Sequence, residues 1–533
     1  MKNLLIEMKG FDTVAGVEKT LFFCLYPFVP FSPSDSLRPN QFYKACLTGE
    51  LAGVPRYMYG SGRTYGRTSN NGVYFTLDNS DNSLDYLMQY SFDGREVTQY
   101  SGEIGMPFSA YIKVLTGSIE APEFSFSKSN PSQIKFVLRD KWALFNVPIA
   151  VNYYSGTNVG ATGNDGTVDD LKGKSKPVCL GGTAYNVPGA PCNTSGLRWQ
   201  VHDGVINDVP AAYIDGVAQT KVAGTPGAAQ YAVDVSTGIV TLGSSPAGGQ
   251  VTFDVQGAKF GGVWVTKCGD LVREIALNYG GRVLAEINVA AITALNSAVP
   301  AALEYYLDAG SGSINAGAPS AGTTNTTTAS GTTISQLLDD LLNSVGAYGF
   351  FDRNGVLQVG RIVDPTGLAS VKTFVERDFD DFQLMASGDD DKGIPVFQVA
   401  INHTANYTIQ SKVAGAVLVA RQAWLKLNKR TETRRDNTVK TAHKLSPQIT
   451  RDSHLTSSTD AITEGDRVLT LKKVQRWQYK AIIDFYGNET LDLGMCITVI
   501  QGRLLLSAGK KFVITGITDH APLQSKMNLE LWG

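Results

Sequence analysis

The sequence lacks a long apolar run and carries little net charge. No stretch of the 533 residues approaches the roughly 20 apolar residues that a membrane-spanning helix requires. The opening residues, MKNLLIEMKGFD, place an acid and a lysine where a secretion signal would have its apolar core. The formal net charge is −2, so bulk charge selects neither nucleic acid nor an anionic membrane as a partner. These absences predict a product made in the cytoplasm, without stable membrane insertion.

Cysteine is also scarce. Six cysteines in a chain of this length are too few for a disulfide framework, and we predict buried, reduced thiols at Cys24, Cys46, Cys179, Cys192, Cys268 and Cys496. Cys179 and Cys192 could bracket a loop, but their spacing lacks a CxxC motif or a paired histidine and matches no common metal signature. We predict no metal-binding residue, no cofactor-binding residue and no cofactor.

The usual catalytic motifs are absent. There is no GxSxG elbow, HExxH pair or GxxxxGK[ST] loop, and YGSGRTYG at 59–66 is typical of a flexible loop. His202 stands beside Asp203, but Gly204 follows and favours a turn over an acid/base pair. The densest acidic stretches, RDFDDF at 377–382 and SGDDDKG at 387–393, could in principle supply the two carboxylates of a glycosidase. Neighbouring acids on a strand point to opposite faces, so we predict no catalytic residues and no enzyme activity.

What the sequence does contain is typical of β-structure. It has 55 glycines, 22 tyrosines and 23 phenylalanines, and short runs of alternating apolar and polar residues recur between turn signals. The turn dipeptides are Asp93-Gly94, Asp203-Gly204, Asp215-Gly216, Thr237-Gly238 and Asn354-Gly355. The fold class that we predict is mainly β with a smaller α/β middle, comprising two β-barrel-like domains and an inserted antiparallel β module.

The changes in composition along the chain predict four regions. These are an N-terminal β-barrel-like domain at 1–156, an inserted antiparallel β module at 157–260, a helical or α+β domain at 261–370, and a C-terminal β-barrel-like domain at 371–533. Within the third region, the Gly/Ser/Thr/Ala-rich stretch at 309–333 predicts a flexible link.

Helices are predicted only in the middle of the chain. The clearest begins at Thr333, which forms a capping box with Gln336 and precedes apolar residues at helical spacing up to Val345. Asp339 and Asp340 are expected on its solvated face. Asp270 is expected to cap an earlier helix, LVREIALNYG, and Pro300 interrupts the Ala-rich run between them.

The C-terminal region carries two distinctive segments. In KMNLELWG, Met527, Leu529 and Leu531 share one parity, which predicts a strand with one buried face that closes a barrel. The stretch 421–444 holds eight basic residues, with Trp424, against Glu432 and Asp436. It could contact DNA phosphates, or it could be a solvated surface or a subunit contact, and we favour the surface or subunit contact.

The order of short motifs resembles a known family. FDGREV, LTGSI and LRDKWALFNVPI come first, followed by KGKSKPVCLGG, WQVHDGVINDV and LEYYL, then GFFDRNGVLQVGRI, and finally the block from LDLGMCITVI to NLELWG. This layout resembles the baseplate or tail-tip hub proteins of tailed bacteriophages, in particular the two-barrel hubs of long, non-contractile tails. The resemblance covers most of the chain and lies in the order of degenerate motifs.

The resemblance implies a structural virion protein at the phage tail tip. In such hubs two barrel-like tube domains per subunit lie side by side, and a homotrimer forms a ring of six barrels that caps and continues the tail tube. The implied partners are the distal tail protein, the tape measure protein, central fibre or tip proteins, and DNA that passes during ejection without sequence recognition. The alternatives are a cell-wall-degrading glycosidase or a receptor- or glycan-binding tail protein that uses Trp199 and Tyr213 as stacking platforms.

Overall fold

The structure is a computed structural model and is mainly β. It describes residues 2–27, 30–48, 55–59, 73–125, 132–310, 331–385, 393–410, 413–521 and 525–533. Most of the predicted link at 309–333, namely 311–330, lies outside the described residues. Among the described helices none is long and apolar enough to cross a membrane.

The N-terminal sheet is a nearly closed barrel. The first eleven strands are β1 (Lys2–Asp12), β2 (Val17–Cys24), β3 (Lys44–Ala45), β4 (Leu47–Thr48), β5 (Arg56–Tyr57), β6 (Val73–Asp78), β7 (Tyr90–Ser91), β8 (Glu96–Glu103), β9 (Ile112–Ile119), β10 (Glu123–Ser125) and β11 (Gln133–Asp140). All except β5 join this sheet, in the order β3-β2-β1-β8-β9-β11-β6-β4, with β7 paired to β1 and β10 to β11.

One short segment joins the two ends of that order. β3 pairs with β2 and β4 pairs with β6, and only Cys46 separates β3 from β4. The Cys46 N–H donates to the Cys24 carbonyl at 3.2 Å, and the Cys46 carbonyl accepts from the Asp78 N–H at 2.7 Å. The segment 44–48 therefore bridges both edges of the sheet, so neither edge is left open there for another chain.

Both faces of β1 are buried around Leu4, Leu5 and Ile6, which explains why these three consecutive residues are apolar. Leu4, Ile6 and Met8 lie in the barrel core. Leu5 faces outward, where a second cluster covers it with aromatic side chains from Phe31, Tyr43, Tyr100, Phe108 and Tyr111.

The inserted module contains two small sheets. Its strands are β12 (Val178–Gly181), β13 (Thr183–Val187), β14 (Ala190–Asn193), β15 (Arg198–Gln200), β16 (Ile206–Ile214), β17 (Val217–Ala218), β18 (Thr220–Lys221), β19 (Gln230–Asp234), β20 (Ile239–Leu242), β21 (Val251–Phe260) and β22 (Val263–Trp264). One sheet runs β13-β21-β16-β17 with β22 beside β21, and the other runs β14-β15-β20-β19-β18. The module is antiparallel as predicted, except that β18 and β19 are parallel.

Helices and a hairpin follow. They are α1 (Cys268–Asn278), α2 (Val289–Ala298), β23 (Glu304–Leu307), α3 (Ile334–Ser344), β24 (Ala347–Phe351) and β25 (Leu357–Arg361), and β23 pairs with β12. The capping box of Thr333 and Gln336 on α3 is confirmed. Two expectations were wrong: Asp339 is buried, and Asp270 lies inside the first turn of α1, whose N-cap is Lys267.

The C-terminal part contains a half-barrel, a separate small sheet and three more helices. Its elements are β26 (Lys372–Val375), β27 (Phe379–Met385), β28 (Gln398–His403), α4 (Val419–Leu425), β29 (Arg430–Arg435), α5 (Asn437–Ala442), β30 (Gln448–Asp452), α6 (Ser458–Lys472), β31 (Gln478–Asp484), β32 (Cys496–Ile500), β33 (Lys510–Ala521) and β34 (Lys526–Trp532). The expectation that helices occur only in the middle was therefore wrong. Among the described residues, 3₁₀ turns lie at Asp85–Gln89, Phe108–Ala110, Lys141–Phe145, Leu284–Glu286, Pro365–Gly367 and Glu376–Asp378.

The half-barrel has the strand order β26-β32-β33-β34-β31-β27, and β5 also pairs with β33. Its two edge strands, β26 and β27, are joined by the three-residue turn at Glu376–Asp378. The chain therefore connects one edge of the sheet to the other in a single short step, which curls the sheet around its apolar face.

The remaining strands form the sheet β29-β28-β30, against which α6 packs. Val399 and Val468 of this unit share one core with Leu337 of α3 and Leu271 of α1. The four-region division of the chain remains a prediction, and this core crosses the border that was set at residue 371.

Candidate functional site

The last strand of the half-barrel lies in the middle of its sheet. β34 pairs with β31 on one side and with β33 on the other, and Met527, Leu529 and Leu531 are 0% exposed. The alternation in KMNLELWG arises because these three side chains face the core while Asn528 and Glu530 lie on the other face. The predicted strand with one buried face is confirmed.

A strand from the N-terminal part of the chain crosses into the half-barrel. Tyr57 of β5 pairs with Gly516 and Arg56 pairs with Ile517, and the Met58 N–H donates to the Thr515 carbonyl at 2.9 Å. A Cβ at position 516 would lie 2.7 Å from the Tyr57 ring, so only glycine allows this approach. β5 therefore ties the loop between β4 and β6 of the barrel to the half-barrel.

A buried ion pair lies at the same crossing. Arg56 donates to Asp492 at 2.7 Å, and the two side chains are 2% and 10% exposed. The second carboxylate oxygen of Asp492 faces the Arg353 guanidinium, with 3.7 Å between Oδ2 and Nε. Burial is the main cause that lowers the pKa of Arg353 from its ordinary value. One carboxylate thus holds a cation from the loop at 55–59 and another from the β24–β25 hairpin.

Lys141 makes a second connection from the barrel. Its buried ammonium donates to Glu96 of β8 and to Glu286 of the 3₁₀ turn after α1, each at 2.8 Å. The next residue, Trp142, donates from its indole nitrogen to the Ser335 hydroxyl at 2.9 Å. Burial raises the pKa of the adjoining Asp140 carboxyl to about 6. We define the barrel junction as β5, Asp492, Arg353, Lys141 and Trp142, because these residues connect barrel, helices and half-barrel.

The His202 and Asp203 side chains do not form a catalytic pair. The Nδ1 atom of the buried His202 ring accepts a hydrogen bond from the Cys179 backbone N–H at 3.1 Å, while Asp203 accepts from the Asn152 side chain at 2.7 Å. Burial lowers the pKa of His202 to about 4, so the ring is neutral at physiological pH. The imidazole therefore satisfies a buried backbone donor, which is a structural role.

The acidic stretch at 377–382 lies on the edge strand β27. Asp380 forms an ion pair with Lys526, and Asp381 accepts from the Gln383 side chain at 2.6 Å. The stretch at 387–393, except Gly393, and the loop at 60–66 lie outside the described residues. Within the described part of the chain, no group of three or more His, Cys, Asp or Glu side chains is placed to hold a metal ion.

Sequence reasoning missed one buried acid. Glu304 of β23 is fully buried, its Oε2 accepts from the Tyr407 hydroxyl at 2.7 Å, and its Oε1 has no hydrogen-bond partner among the residues that the structure describes. Burial raises the pKa of this carboxyl to about 8, so it is protonated at neutral pH. A glutamate inside the apolar run LEYYL is the signal that could have identified it.

The basic stretch at 421–444 forms α4, β29 and α5 around the inserted module. The Arg421 guanidinium lies 4.0 Å from the centroid of the Tyr213 ring and 5.2 Å from that of Trp424. Arg434 pairs with Asp466 at 2.6 Å, and Lys429 pairs with Asp452. Intramolecular ion pairs therefore neutralise part of the positive charge. The charged β29 is an edge strand, and among the described strands it pairs with β28 alone.

The aromatic residues proposed as a glycan platform belong to the protein core. Trp199 and Tyr213 are both buried, and the Tyr213 hydroxyl donates to Asp254 at 2.9 Å. All six cysteines are buried free thiols, as predicted, and burial raises the pKa of Cys192 to about 11. Cys179 and Cys192 lie in two different apolar clusters.

No family model and no curated protein matches the sequence. Three crystal structures resemble the whole chain weakly. They are a tail protein from Neisseria meningitidis MC58 (10% identity, 99% of this chain and 96% of that one, TM-score 0.41), the 43 kDa tail protein of prophage MuSo2 from Shewanella oneidensis (9%, 100% and 98%, 0.42), and a prophage tail protein from Listeria monocytogenes EGD-e (8%, 100% and 94%, 0.36). TM-scores below 0.5 do not establish a common fold.

Proposed function

We propose that this chain is the tail-tip hub of a tailed bacteriophage, a structural virion protein that forms a trimeric ring. The observation that carries the proposal is the barrel junction: β5 crosses from the N-terminal barrel to the half-barrel and is fixed there by the buried pair of Arg56 and Asp492. The order of sequence motifs, which resembles that of two-barrel hubs, points the same way.

A hub needs two barrels in a fixed relation. Three copies supply six barrels, and a six-fold tube wall is continuous only if the angle between the two barrels of each copy is constant. A strand that the N-terminal part contributes to the half-barrel sheet and a desolvated ion pair both resist rotation. Rotation would break the backbone hydrogen bonds of β5 with β33 and separate a buried charge from its partner. The junction thus gives the rigidity that capping and continuing a tail tube requires.

Such a ring would leave a central channel through which DNA passes. Passage without sequence recognition needs no base-reading site and no strong positive field, which agrees with the net charge of −2. We assign the distal tail protein, the tape measure protein and central fibre or tip proteins as the neighbours of the ring. The charged edge strand β29 and the surrounding basic stretch are assigned to the surface or to subunit contact, since two of the cations, Lys429 and Arg434, are already paired.

Measurement of the mass of the purified full-length chain in solution tests the proposal. We expect a trimer by light scattering and rings with three-fold symmetry by negative-stain microscopy. A monomer that hydrolyses peptidoglycan or a reporter glycan would overturn the proposal in favour of the glycosidase alternative. The glycan-binding alternative has lost its main support, because Trp199 and Tyr213 are buried.

A further inference from the structure

The Tyr407 hydroxyl connects the buried carboxyl of Glu304 to the surface. It accepts a hydrogen bond from the Tyr306 N–H at 3.1 Å, so its single proton is directed to Glu304 Oε2, 2.7 Å away. Glu304 is 0% exposed, whereas Tyr407 is partly exposed. Movement of this one tyrosine would therefore let water reach the carboxyl.

The surroundings of Glu304 do not compensate a negative charge. Among the residues that the structure describes, its Oε1 has no hydrogen-bond partner and no cation forms an ion pair with it. The titratable side chains on the elements around it are Cys179 of β12, Tyr185 of β13, Tyr305 and Tyr306 of β23, Tyr407, and His454. Burial raises the pKa of the thiol and the phenols and lowers that of His454 to about 4, so all of them are neutral at pH 7. An ionised Glu304 would be a buried, unpaired charge here.

The segment that carries Tyr407 is attached to the inserted module by isolated hydrogen bonds. We refer to residues 406–410 as the latch segment, which lies outside the named strands and helices. The Tyr407 N–H donates to the Tyr185 carbonyl at 3.2 Å, and the Gln410 side chain donates to the Thr252 hydroxyl of β21 at 3.2 Å. Contacts of this kind can break locally while the rest of a protein stays folded.

We infer that the latch segment is a proton-controlled attachment of the inserted module, closed while Glu304 carries its proton and opened when that proton is lost. In the closed form the Tyr407 hydroxyl donates to the neutral carboxyl and accepts from Tyr306. In the open form Tyr407 has moved away and water solvates the carboxylate. The inference goes beyond the proposed function and does not depend on it.

The coupling between proton and latch segment has a definite sign. In the open form Glu304 ionises near its ordinary pKa of 4.5, whereas burial in the closed form raises this pKa to about 8. Between these two values opening releases one proton, so the equilibrium constant for opening rises about tenfold per unit of pH. The attachment is therefore firmest below pH 4.5 and loosens as the pH rises to 8.

Amide hydrogen exchange of the full-length chain, followed by mass spectrometry, tests the inference. The two informative amides are those of Tyr306 and Tyr407, because both donate hydrogen bonds across the closed latch. After correction for the intrinsic effect of pH on exchange, their opening should increase about tenfold from pH 5 to 6 and again from pH 6 to 7. They should also exchange faster than the amides of β34, since the opening is local.

Glu304→Gln removes the titration and keeps an acceptor for the Tyr407 hydroxyl. Opening in this variant should be the same at the three pH values. Glu123→Gln, at an exposed position, is the control and should keep the tenfold dependence. His403 and His454 are buried with lowered pKa values and would give the opposite dependence if they became solvated. Both are present in all three chains, so the comparison isolates Glu304.

Tyr407→Phe decides the question if Glu304→Gln fails to fold. It keeps the ring but removes the hydroxyl that Glu304 and Tyr306 share, so exchange at the Tyr306 amide should be about tenfold faster or more at pH 5. Exchange unchanged by this substitution would overturn the inference. So would an equal pH dependence in the unmodified chain and Glu304→Gln, or exchange at Tyr306 and Tyr407 as slow as in β34, which would mean opening only by global unfolding.

Discussion

Arg56 and Asp492 form a 2.7 Å ion pair across 436 positions of sequence, with both side chains almost entirely removed from solvent. A pair in such surroundings is stable only while both charges are present, because either one alone would be buried without compensation. The contribution of the barrel junction to the free energy of unfolding can therefore be measured with single substitutions.

Arg56→Ala should reduce the free energy of unfolding by about 3–5 kcal/mol, because it leaves the Asp492 carboxylate partly buried with only Arg353 nearby. Urea denaturation followed by circular dichroism measures the change. Arg139→Ala removes an ion pair with Glu120 on the surface, where both side chains are more than a third exposed, and should cost less than about 1 kcal/mol. Equal effects of the two substitutions would contradict the role assigned to the junction.

Leu529→Ala should destabilise the half-barrel by about 2–5 kcal/mol, because it opens a cavity in the apolar core against which Leu529 packs. Leu384→Ala, on the half-exposed face of the edge strand β27, should cost less than about 1 kcal/mol and serves as the control. Deletion of 526–533 should have a larger effect, because it also leaves β31 and β33 with unpaired edges. Native-like rings from the truncated chain would show that β34 is dispensable.

Glu304→Gln should make the protein less sensitive to alkali. Burial raises the pKa of Glu304 from 4.5 to about 8 in the folded chain, so the folded state holds a proton that the unfolded state has lost. The associated stability is complete below about pH 4.5 and declines as the pH rises from there through 8, by about 5 kcal/mol in total. The variant, which keeps an acceptor for Tyr407, should not show this decline. Denaturation midpoints at pH 5, 7 and 9 measure the difference, with the exposed Glu123→Gln as control; parallel curves would exclude a buried, protonated Glu304.

His202→Asn should make the protein less sensitive to acid. Burial lowers the pKa of His202 from 6.5 to about 4, so the unfolded state binds a proton that the folded state excludes. The stability is fully present above pH 6.5 and falls by about 3 kcal/mol as the pH drops to 4. An asparagine oxygen can accept from the Cys179 N–H in place of Nδ1 and does not titrate in this range. The variant should therefore lose less stability between pH 7 and 4.5 than the unmodified chain, as measured by urea denaturation at the two pH values.

Signals that act over a few residues predicted local structure well. The capping box at Thr333 identified the start of α3, and Asn354-Gly355 marked the turn of the β24–β25 hairpin. Asp215-Gly216 connects Ile214 to Val217 with φ of +49° and +80°, the left-handed pair that such a dipeptide favours. Each of these depends on side chains adjacent to the backbone that they direct.

The pairing of strands that are distant in sequence is harder to predict. Asp93-Gly94, a turn dipeptide between two alternating runs, predicts a hairpin, and Gly94 does have a φ of +72°. The strands on its two sides, β7 and β8, nevertheless both pair with β1 and not with each other. A turn signal sets the local direction of the chain, whereas the partner of a strand is set by the whole sheet.

Helices α6 and α3 also show that packing against distant parts of the chain is hard to predict from local sequence. α6 was missed although Ser457 caps it, because its apolar face is narrow and interrupted by charged residues. Asp339 and Asp340 are both expected in solvent because they lie away from the leucines; Asp340 is exposed, but neighbouring elements bury the flank of α3 that holds Ser335 and Asp339. Packing from distant parts of the chain overrides the amphipathic pattern in both cases.

The barrel junction is the feature of the structure that is hardest to predict from the sequence. The burial of Met527, Leu529 and Leu531 follows from their alternation. β5 is two residues long and has no pattern of its own, so neither its pairing with β33 nor the partner of Arg56 could be predicted. Two charged residues 436 positions apart carry no mutual signal in a single sequence.

The position of β5 also constrains the order in which the protein can fold during synthesis. The ribosome releases Arg56 and Tyr57 long before it releases β33, the strand with which they pair. Until residues 510–521 emerge, the loop after β4 has no strand to pair with, and Arg56 has no carboxylate partner until Asp492 has been released. The N-terminal barrel can form around its own core in the meantime. The nascent chain therefore holds an incomplete barrel junction for most of translation, and the junction is completed only once β33 has been released.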